Sequence, residues 1–195
     1  MSTSNHSRTK KLVSLALFTA IVVALQFLGQ FIKLGPFSIS LVNVPIVIGA
    51  VLFGPGAGAY LGAVFGAAVL LTGDAAAFLV VNPIGTVLIV MLKGIACGFM
   101  SGVVYRLFKH INDYFGIVVA AIACPVVNTG IFLLGCLLFF MEPVGEWAAG
   151  AGFENVGTYM IVGLVGLNFV VELLINAVLS PVIVRIIRIG RRSGV

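Results

Sequence analysis

Charged side chains are scarce in this sequence. Asp, Glu, Lys and Arg account for 9% of its 195 residues, whereas hydrophobic residues account for 61%. Soluble domains carry about 25% charged residues, so this composition excludes a water-soluble fold. A membrane-spanning helix needs about 20 apolar residues, which allows about six helices joined by short loops. We therefore expect residues 1–195 to form one membrane-embedded domain.

Cysteine is also scarce, and it offers no disulfide framework. The three residues, Cys97, Cys124 and Cys136, lie inside apolar runs, where a thiol behaves as a small apolar side chain. The sequence also lacks a Ser-His-Asp set, a Cys-His pair and a Gly-Lys-Ser or Gly-Lys-Thr phosphate-binding loop. It therefore predicts a protein that is not an enzyme, needs no metal or cofactor, and does not hydrolyse ATP through a P-loop.

The apolar runs, interrupted by Gly, Pro and charged residues, predict an all-α integral membrane bundle of six transmembrane helices. The predicted helices cover residues 11–33, 44–53, 56–72, 83–109, 115–141 and 158–190. The second is short, because the turn Phe53-Gly54-Pro55-Gly56 closes it. We expect it to cross the membrane obliquely or to reach only partway.

Basic residues predict the orientation, since cytoplasmic loops are enriched in Lys and Arg. They flank alternate helix ends, at Arg8, Lys10, Lys11, Arg106, Lys109, Arg185, Arg188, Arg191 and Arg192. The other loops hold Asp74, Glu142, Glu146 and Glu154, with Lys33 as their one cation. This segregation places both termini in the cytoplasm, with residues 1–10 and 191–195 as cytoplasmic tails. The loops around 34–43, 73–82 and 142–157 are then external.

Three helices carry small residues at four-residue spacing, which lets another backbone approach closely. The stripes are Ala16, Ala20 and Ala24 on the first helix, Gly58, Gly62 and Gly66 on the third, and Gly94, Gly98 and Gly102 on the fourth. Packing within the bundle explains the two glycine stripes. For the alanine stripe, an interface with another subunit is the sharper alternative.

Polar residues also occur deep within the apolar segments. Lys93 lies about ten residues into the fourth helix, where a charge costs roughly 2.5–3.5 kcal/mol. Asn168, Glu172 and Asn176 form one stripe on the sixth helix, and Asn128 follows Pro125 on the fifth. Two explanations are open: a structural Lys93–Glu172 ion pair with interhelical hydrogen bonds, or a cavity for a small ligand that carries a carboxylate and hydroxyl or amide groups.

Aromatic side chains occur in or near the predicted external loops. They are Phe37, Trp147, Phe153 and Tyr159. Closure over a ligand and anchoring at the membrane interface explain them equally well.

The chain resembles the S components of energy-coupling factor (ECF) transporters in three features. These are the basic N-terminus, the stripe Ala16, Ala20 and Ala24, and the Phe53-Gly54-Pro55 turn that leads into Gly58 and Gly62. The resemblance covers nearly the whole chain. It implies a cell-membrane subunit that captures a water-soluble vitamin in its outer half. Carried onto this sequence, the implied site contains Asn82, Lys93, Asn128, Asn168 and Glu172. It also implies docking, through Ala16, Ala20 and Ala24, onto a membrane coupling subunit that binds two cytoplasmic ATPases.

The vitamin predicted first is pantothenate, because Lys93 with nearby amides suits a small polar anion. The chain looks most like the group of S components that includes pantothenate, folate and riboflavin carriers. Three other functions remain open. They are a solitary transporter with Glu172 and Lys93 as a proton-linked pair, a membrane-embedded enzyme, and a structural membrane subunit.

Overall fold

The computed structural model describes residues 2–34, 37–38 and 40–192, and this part of the chain is almost entirely helical. The α-helices are α1 (Ser2–Gly29), α2 (Asn43–Phe53), α3 (Pro55–Thr72), α4 (Ala76–Val81), α5 (Pro83–Phe108), α6 (Asp113–Phe139), α7 (Met141–Gly150), α8 (Val156–Thr158) and α9 (Leu167–Arg192). A π-helical segment, Tyr159–Gly166, joins α8 to α9. Two short antiparallel strands, β1 (Lys33–Leu34) and β2 (Phe37–Ser38), follow α1.

Within the described residues, five segments are long and apolar enough to cross a membrane. They are Thr9–Gly29, Pro55–Thr72, Pro83–Phe108, Asp113–Phe139 and Val156–Gly190. The sixth predicted crossing, α2, has 11 residues and a length of about 16 Å at 1.5 Å per residue. That is about half of a hydrocarbon core of roughly 30 Å. The all-helical membrane prediction is confirmed, and the count of six crossings stays a prediction.

The short helix α2 lies in the interior of the bundle. Every residue from Pro45 to Val51 is buried, and α2 packs on α1, α3, α5, α6 and α9. The turn after it depends on Gly54, whose φ of 95° lies in the left-handed region that favours glycine. Pro55 then begins α3, at a position where a helix needs no backbone N–H. The predicted turn is therefore confirmed.

Two helices fall in loops predicted to be external and irregular. The short helix α4 buries Phe78, and α7 buries Val144 and Ala148, which lie four residues apart on one face. Neither is long enough to span the membrane. They were missed because the prediction rested on apolar length, and both segments are short.

The glycine stripes of α3 and α5 pack against each other. A Cβ atom placed on Gly62 would overlap the carbonyl oxygen of Gly94, and one placed on Gly98 would overlap the carbonyl oxygen of Gly58. The two backbones are thus in direct contact, in the manner that small-residue stripes allow. Packing within the bundle is confirmed for these stripes.

Substitution of Gly62 by alanine is expected to lower the free energy of unfolding by about 1–3 kcal/mol, because a backbone carbonyl occupies the space of the new methyl group. Gly130→Ala is the matched control, since Gly130 lies inside α6 with no atom within 4 Å of an added Cβ. It should be neutral or stabilising by up to about 1 kcal/mol. Thermal unfolding in detergent measures both, and equal midpoints would contradict the close packing.

Contacts define two ends of the bundle. At the first, here called the basic end, Gly54 lies beside the Arg106 guanidinium and Leu52 lies beside Gly190. The basic side chains of this end include Arg106, Lys109, Arg185 and Arg188. At the other, here called the Asp74 end, Gln26 of α1 donates to the Asp74 carboxylate over 2.7 Å.

Some predictions fall outside the part of the chain that the structure describes. They rest on the side chains of Arg8, Lys33, Phe37, Arg191 and Arg192, and on residues 193–195 of the predicted C-terminal tail. Of the predicted N-terminal tail, residues 2–10 belong to α1.

Candidate ligand-binding site

A cavity lies between the helices toward the Asp74 end. It contains about 720 Å³ of space between atoms, a figure that includes the open mouth. The polar residues that line it are Gln26, Ser40, Asp74, Thr86, Lys93, Asn128, Thr129, Asn168 and Glu172. Phenylalanine and branched aliphatic side chains form much of the remaining wall. Such a mixture suits a small ligand that has both polar and apolar parts.

Lys93 of α5 places its ammonium group between two aromatic rings. Its Nζ lies 5.8 Å from the centroid of Phe65 and 5.4 Å from that of Phe132. Both distances permit cation–π attraction. Lys93 is near enough to Glu172 and Asp74 to be attracted by them, but it forms no salt bridge with Glu172. The structural ion pair that the sequence left open is therefore absent, and the ammonium faces the cavity.

Glu172 of α9 is occupied by protein donors. Its Oε1 accepts hydrogen bonds from the backbone N–H of Ser40 at 2.9 Å and from Nδ2 of Asn168 at 3.2 Å. Its Oε2 accepts a hydrogen bond from Nδ2 of Asn43 at 3.3 Å. Burial of the side chain, which is 3% exposed, strengthens such interactions. Glu172 thus ties α9 to the beginning of α2.

Asn128 of α6 offers an unused acceptor to the cavity. The residue is 5% exposed, and its Oδ1 has no hydrogen-bond partner in the described part of the chain. A buried amide oxygen without a partner is costly, so a hydroxyl or N–H group of a ligand would stabilise it. The neighbouring Thr129 lines the same wall. The sequence predicted Asn128 but not Thr129.

Of the three residues in the polar stripe on α9, two line the cavity and the third forms a hydrogen bond within the helix. Asn168 and Glu172 line the cavity. Asn176, one turn further along, donates to the backbone carbonyl of Glu172 over 2.9 Å and is not part of the lining. The four-residue spacing correctly indicated a shared face, but it did not reveal how far the cavity extends.

Asn82 lies outside the cavity lining. Its Oδ1 accepts the backbone N–H of Gly85 at 2.9 Å, so the side chain caps the beginning of α5. Asparagine followed by Pro83 is the ordinary start of a helix. The capping role accounts for Asn82 without a ligand.

Sequence reasoning missed Gln26, Asp74 and Thr86. Gln26 is 3% exposed and is bound to Asp74, while Thr86 turns its hydroxyl toward the carbonyl of Asn82 at 2.8 Å. Gln26 did carry a signal, because it is a polar residue inside an apolar span. Asp74 carried none, since an acidic residue in a loop is usually solvated.

Phe78 of α4 is the centre of an aromatic cluster at the cavity. It makes edge-to-face contacts with Phe132 at 5.5 Å, Phe140 at 5.0 Å and Trp147 at 5.2 Å between ring centroids. Trp147 supports this cluster but does not line the cavity. Of the other predicted aromatic residues, Phe153 and Tyr159 contact each other edge to face and are not part of the lining.

The alanine stripe of α1 takes no part in the packing of the bundle. Ala16, Ala20 and Ala24 are all exposed, whereas Val22 and Gln26 of the same helix are buried. One face of α1 thus meets the cavity wall, and the opposite face presents small side chains outward. The exposed stripe is open to lipid or to another subunit.

An apolar helical bundle with a partly polar cavity at one end is the architecture of a multi-pass membrane protein with room for a small solute. The family model of the ECF transporter, substrate-specific component, matches residues 10–187, and the chain belongs to this family. It is therefore a transporter component of the cell membrane, as the resemblance predicted. It is also similar to the pantothenic acid transporter PanT of Lactococcus lactis subsp. cremoris (strain MG1363). The two are 28% identical over 205 aligned positions, which cover 96% of this chain and 98% of that relative.

Proposed function

We propose that this protein captures pantothenate outside the cell and delivers it through an ATP-driven coupling module. The observation that carries the proposal is the Lys93 ammonium, which faces the cavity without a salt bridge to Glu172. The similarity to a pantothenic acid transporter supports the same substrate. An anionic vitamin would supply the carboxylate that this lysine lacks.

The chemistry of pantothenate fits the remaining lining. Its carboxylate would bind Lys93, and its amide and hydroxyl groups would find Asn128 and Thr129. Its dimethyl group would lie against the aromatic cluster around Phe78. Asn168 completes the proposed binding set, while Asn82 is explained by capping.

The proposed topology has six crossings with both termini in the cytoplasm. The C-terminal part of α1 meets α3 at the Asp74 end, through hydrogen bonds from Gln26 and Gln30 to Thr72. The chain then reaches α2, which begins beside Glu172 and finishes at Gly54, at the basic end. In the proposed topology, α2 forms the inner part of the second crossing, from Glu172 to the basic end. The basic end is the cytoplasmic one by the positive-inside rule.

The energy must come from partners, because the sequence has no phosphate-binding P-loop. The proposed partners are a membrane coupling subunit and two cytoplasmic ATPases. The exposed stripe Ala16, Ala20 and Ala24 is the proposed docking face, since small residues permit close helix contact.

The alternative of a solitary proton-coupled transporter loses its main support. It required Glu172 and Lys93 to act as a linked pair, but three N–H donors of the protein engage Glu172. The paired arrangement is absent from the structure.

Thermal unfolding of the detergent-purified chain with a panel of water-soluble vitamins tests the proposal. A ligand present at 100 times its Kd stabilises a protein by about 2.7 kcal/mol. Pantothenate is expected to raise the unfolding midpoint more than folate, riboflavin or thiamin does. A shift with another vitamin would overturn the substrate, and no shift with any vitamin would overturn vitamin capture.

A further inference from the structure

Glu172 connects three parts of the chain that meet beside the cavity. Its carboxylate receives the backbone N–H of Ser40, the side-chain amide of Asn43 and the side-chain amide of Asn168. The first two donors belong to the entry of α2, whereas Glu172 and Asn168 belong to α9. Hydrogen bonds to a carboxylate are about twice as strong as those between neutral groups. This cluster is therefore a strong link between α9 and the entry of α2.

The first turn of α2 lacks a side-chain cap of its own. Its N-cap position, Val42, supplies no side-chain hydrogen bond to the first turn, although the first four N–H groups of a helix lack partners within it. Val42 and Asn43 are fully buried. The Glu172 carboxylate lies at this N-terminus, where the helix dipole favours a negative charge.

Ser40 and Glu172 also line the same cavity. The link therefore determines where one wall of the cavity lies. A carboxylate already bound by Ser40, Asn43 and Asn168 has little hydrogen-bonding capacity left for a ligand.

We propose that Glu172 is a positioning residue that holds the entry of α2 as a wall of the ligand cavity, and that it takes no direct part in recognising the ligand's carboxylate. The second half of this inference rests on the proposed capture of pantothenate. The first half does not, so the two are tested by separate measurements.

Labelling of a reporter cysteine tests the positioning role without any ligand. Leu41→Cys places the reporter thiol next to Ser40 and leaves the backbone and side-chain hydrogen bonds of Ser40 to Glu172 in place, and the native Cys97, Cys124 and Cys136 are buried. With Glu172→Gln, an NH₂ group replaces one acceptor oxygen and faces N–H donors. The rate of thiol labelling is expected to rise by about ten- to a hundredfold, the factor that losing a hydrogen bond to a charged group permits.

Two further variants sharpen this measurement. Asn43→Ala removes one of the three donors and should raise the labelling rate by a smaller factor than Glu172→Gln does. It allows the positioning role to be tested even if Glu172→Gln does not fold. Asn176→Ala is the control, because the Asn176 amide bonds only within α9. It should leave the rate unchanged. A rate that Glu172→Gln and Asn43→Ala do not change would overturn the positioning role.

The affinities for two ligands test whether Glu172 takes a direct part in recognising the ligand's carboxylate. Pantothenate and its neutral analogue, in which CH₂OH replaces the carboxylate, are titrated against Glu172→Gln. Both affinities should fall by about the same factor, so that their ratio stays at the wild-type value. A ratio that moves in favour of pantothenate would show that Glu172 faces the ligand's carboxylate directly. If the wild type binds neither ligand, the proposed substrate fails, and the labelling result alone decides the positioning role.

Discussion

Lys93→Met is expected to weaken pantothenate binding by at least about thirtyfold. Removing one partner of a buried charge pair costs at least about 2 kcal/mol of binding free energy, which corresponds to this factor. The neutral alcohol analogue should lose only a few fold, because it does not use the charge. Fluorescence of Trp147 offers a direct titration. It is the one tryptophan in the sequence, and it packs on Phe78 of the cavity wall.

The thermal stability of the unliganded variant distinguishes a specific loss of pantothenate binding from a loss of folded protein. Methionine preserves the length of the side chain and removes a charge that costs roughly 2.5–3.5 kcal/mol deep in a membrane. The loss of the cation–π contacts with Phe65 and Phe132 offsets this gain, so the unliganded variant should unfold close to the wild-type temperature. Lys109→Met is the matched control, since Lys109 is exposed at the basic end. Wild-type affinity in Lys93→Met would contradict the proposed site.

Ala20→Leu is expected to reduce pantothenate uptake by cells at least about tenfold while leaving the Kd of the purified chain unchanged. The larger side chain would hold a partner helix away from the exposed face of α1, and overpacking a close contact typically costs about 1–3 kcal/mol. The same side chain faces no residue of the ligand cavity. Uptake of labelled vitamin and titration of the purified chain together separate transport from binding.

The control for this substitution is Ala67→Leu. Ala67 is an exposed alanine on α3, so the variant adds the same atoms to a different face. Uptake should remain close to that of the wild type. Equal losses in both variants would argue against a docking role that is specific to the alanine stripe.

Several features of the fold could be predicted because they depend on local chemistry. The apolar length of each span, the turn at Gly54 and the start of α5 at Pro83 all follow from neighbouring residues. The facing glycines of α3 and α5 were recognised from their spacing, since backbone contact requires small residues at that period. Asn82 could have been read as a cap for the same local reason, and the resemblance placed it in the ligand site instead.

The sequence by itself determined that this protein lies in the membrane, that small residues pack its helices, and that Lys93, Asn128, Asn168 and Glu172 are polar groups within apolar helices and need partners. Only the tertiary structure decided what those partners are. Gln26 meets Asp74 across 48 positions of the chain, and Glu172 meets Ser40 across 132. The buried position of α2 was equally hidden. Lipid and the protein interior are both apolar, so a helix that faces either one has a similar composition and periodicity. Only the packing of whole helices shows which helix faces lipid and which is buried in the protein.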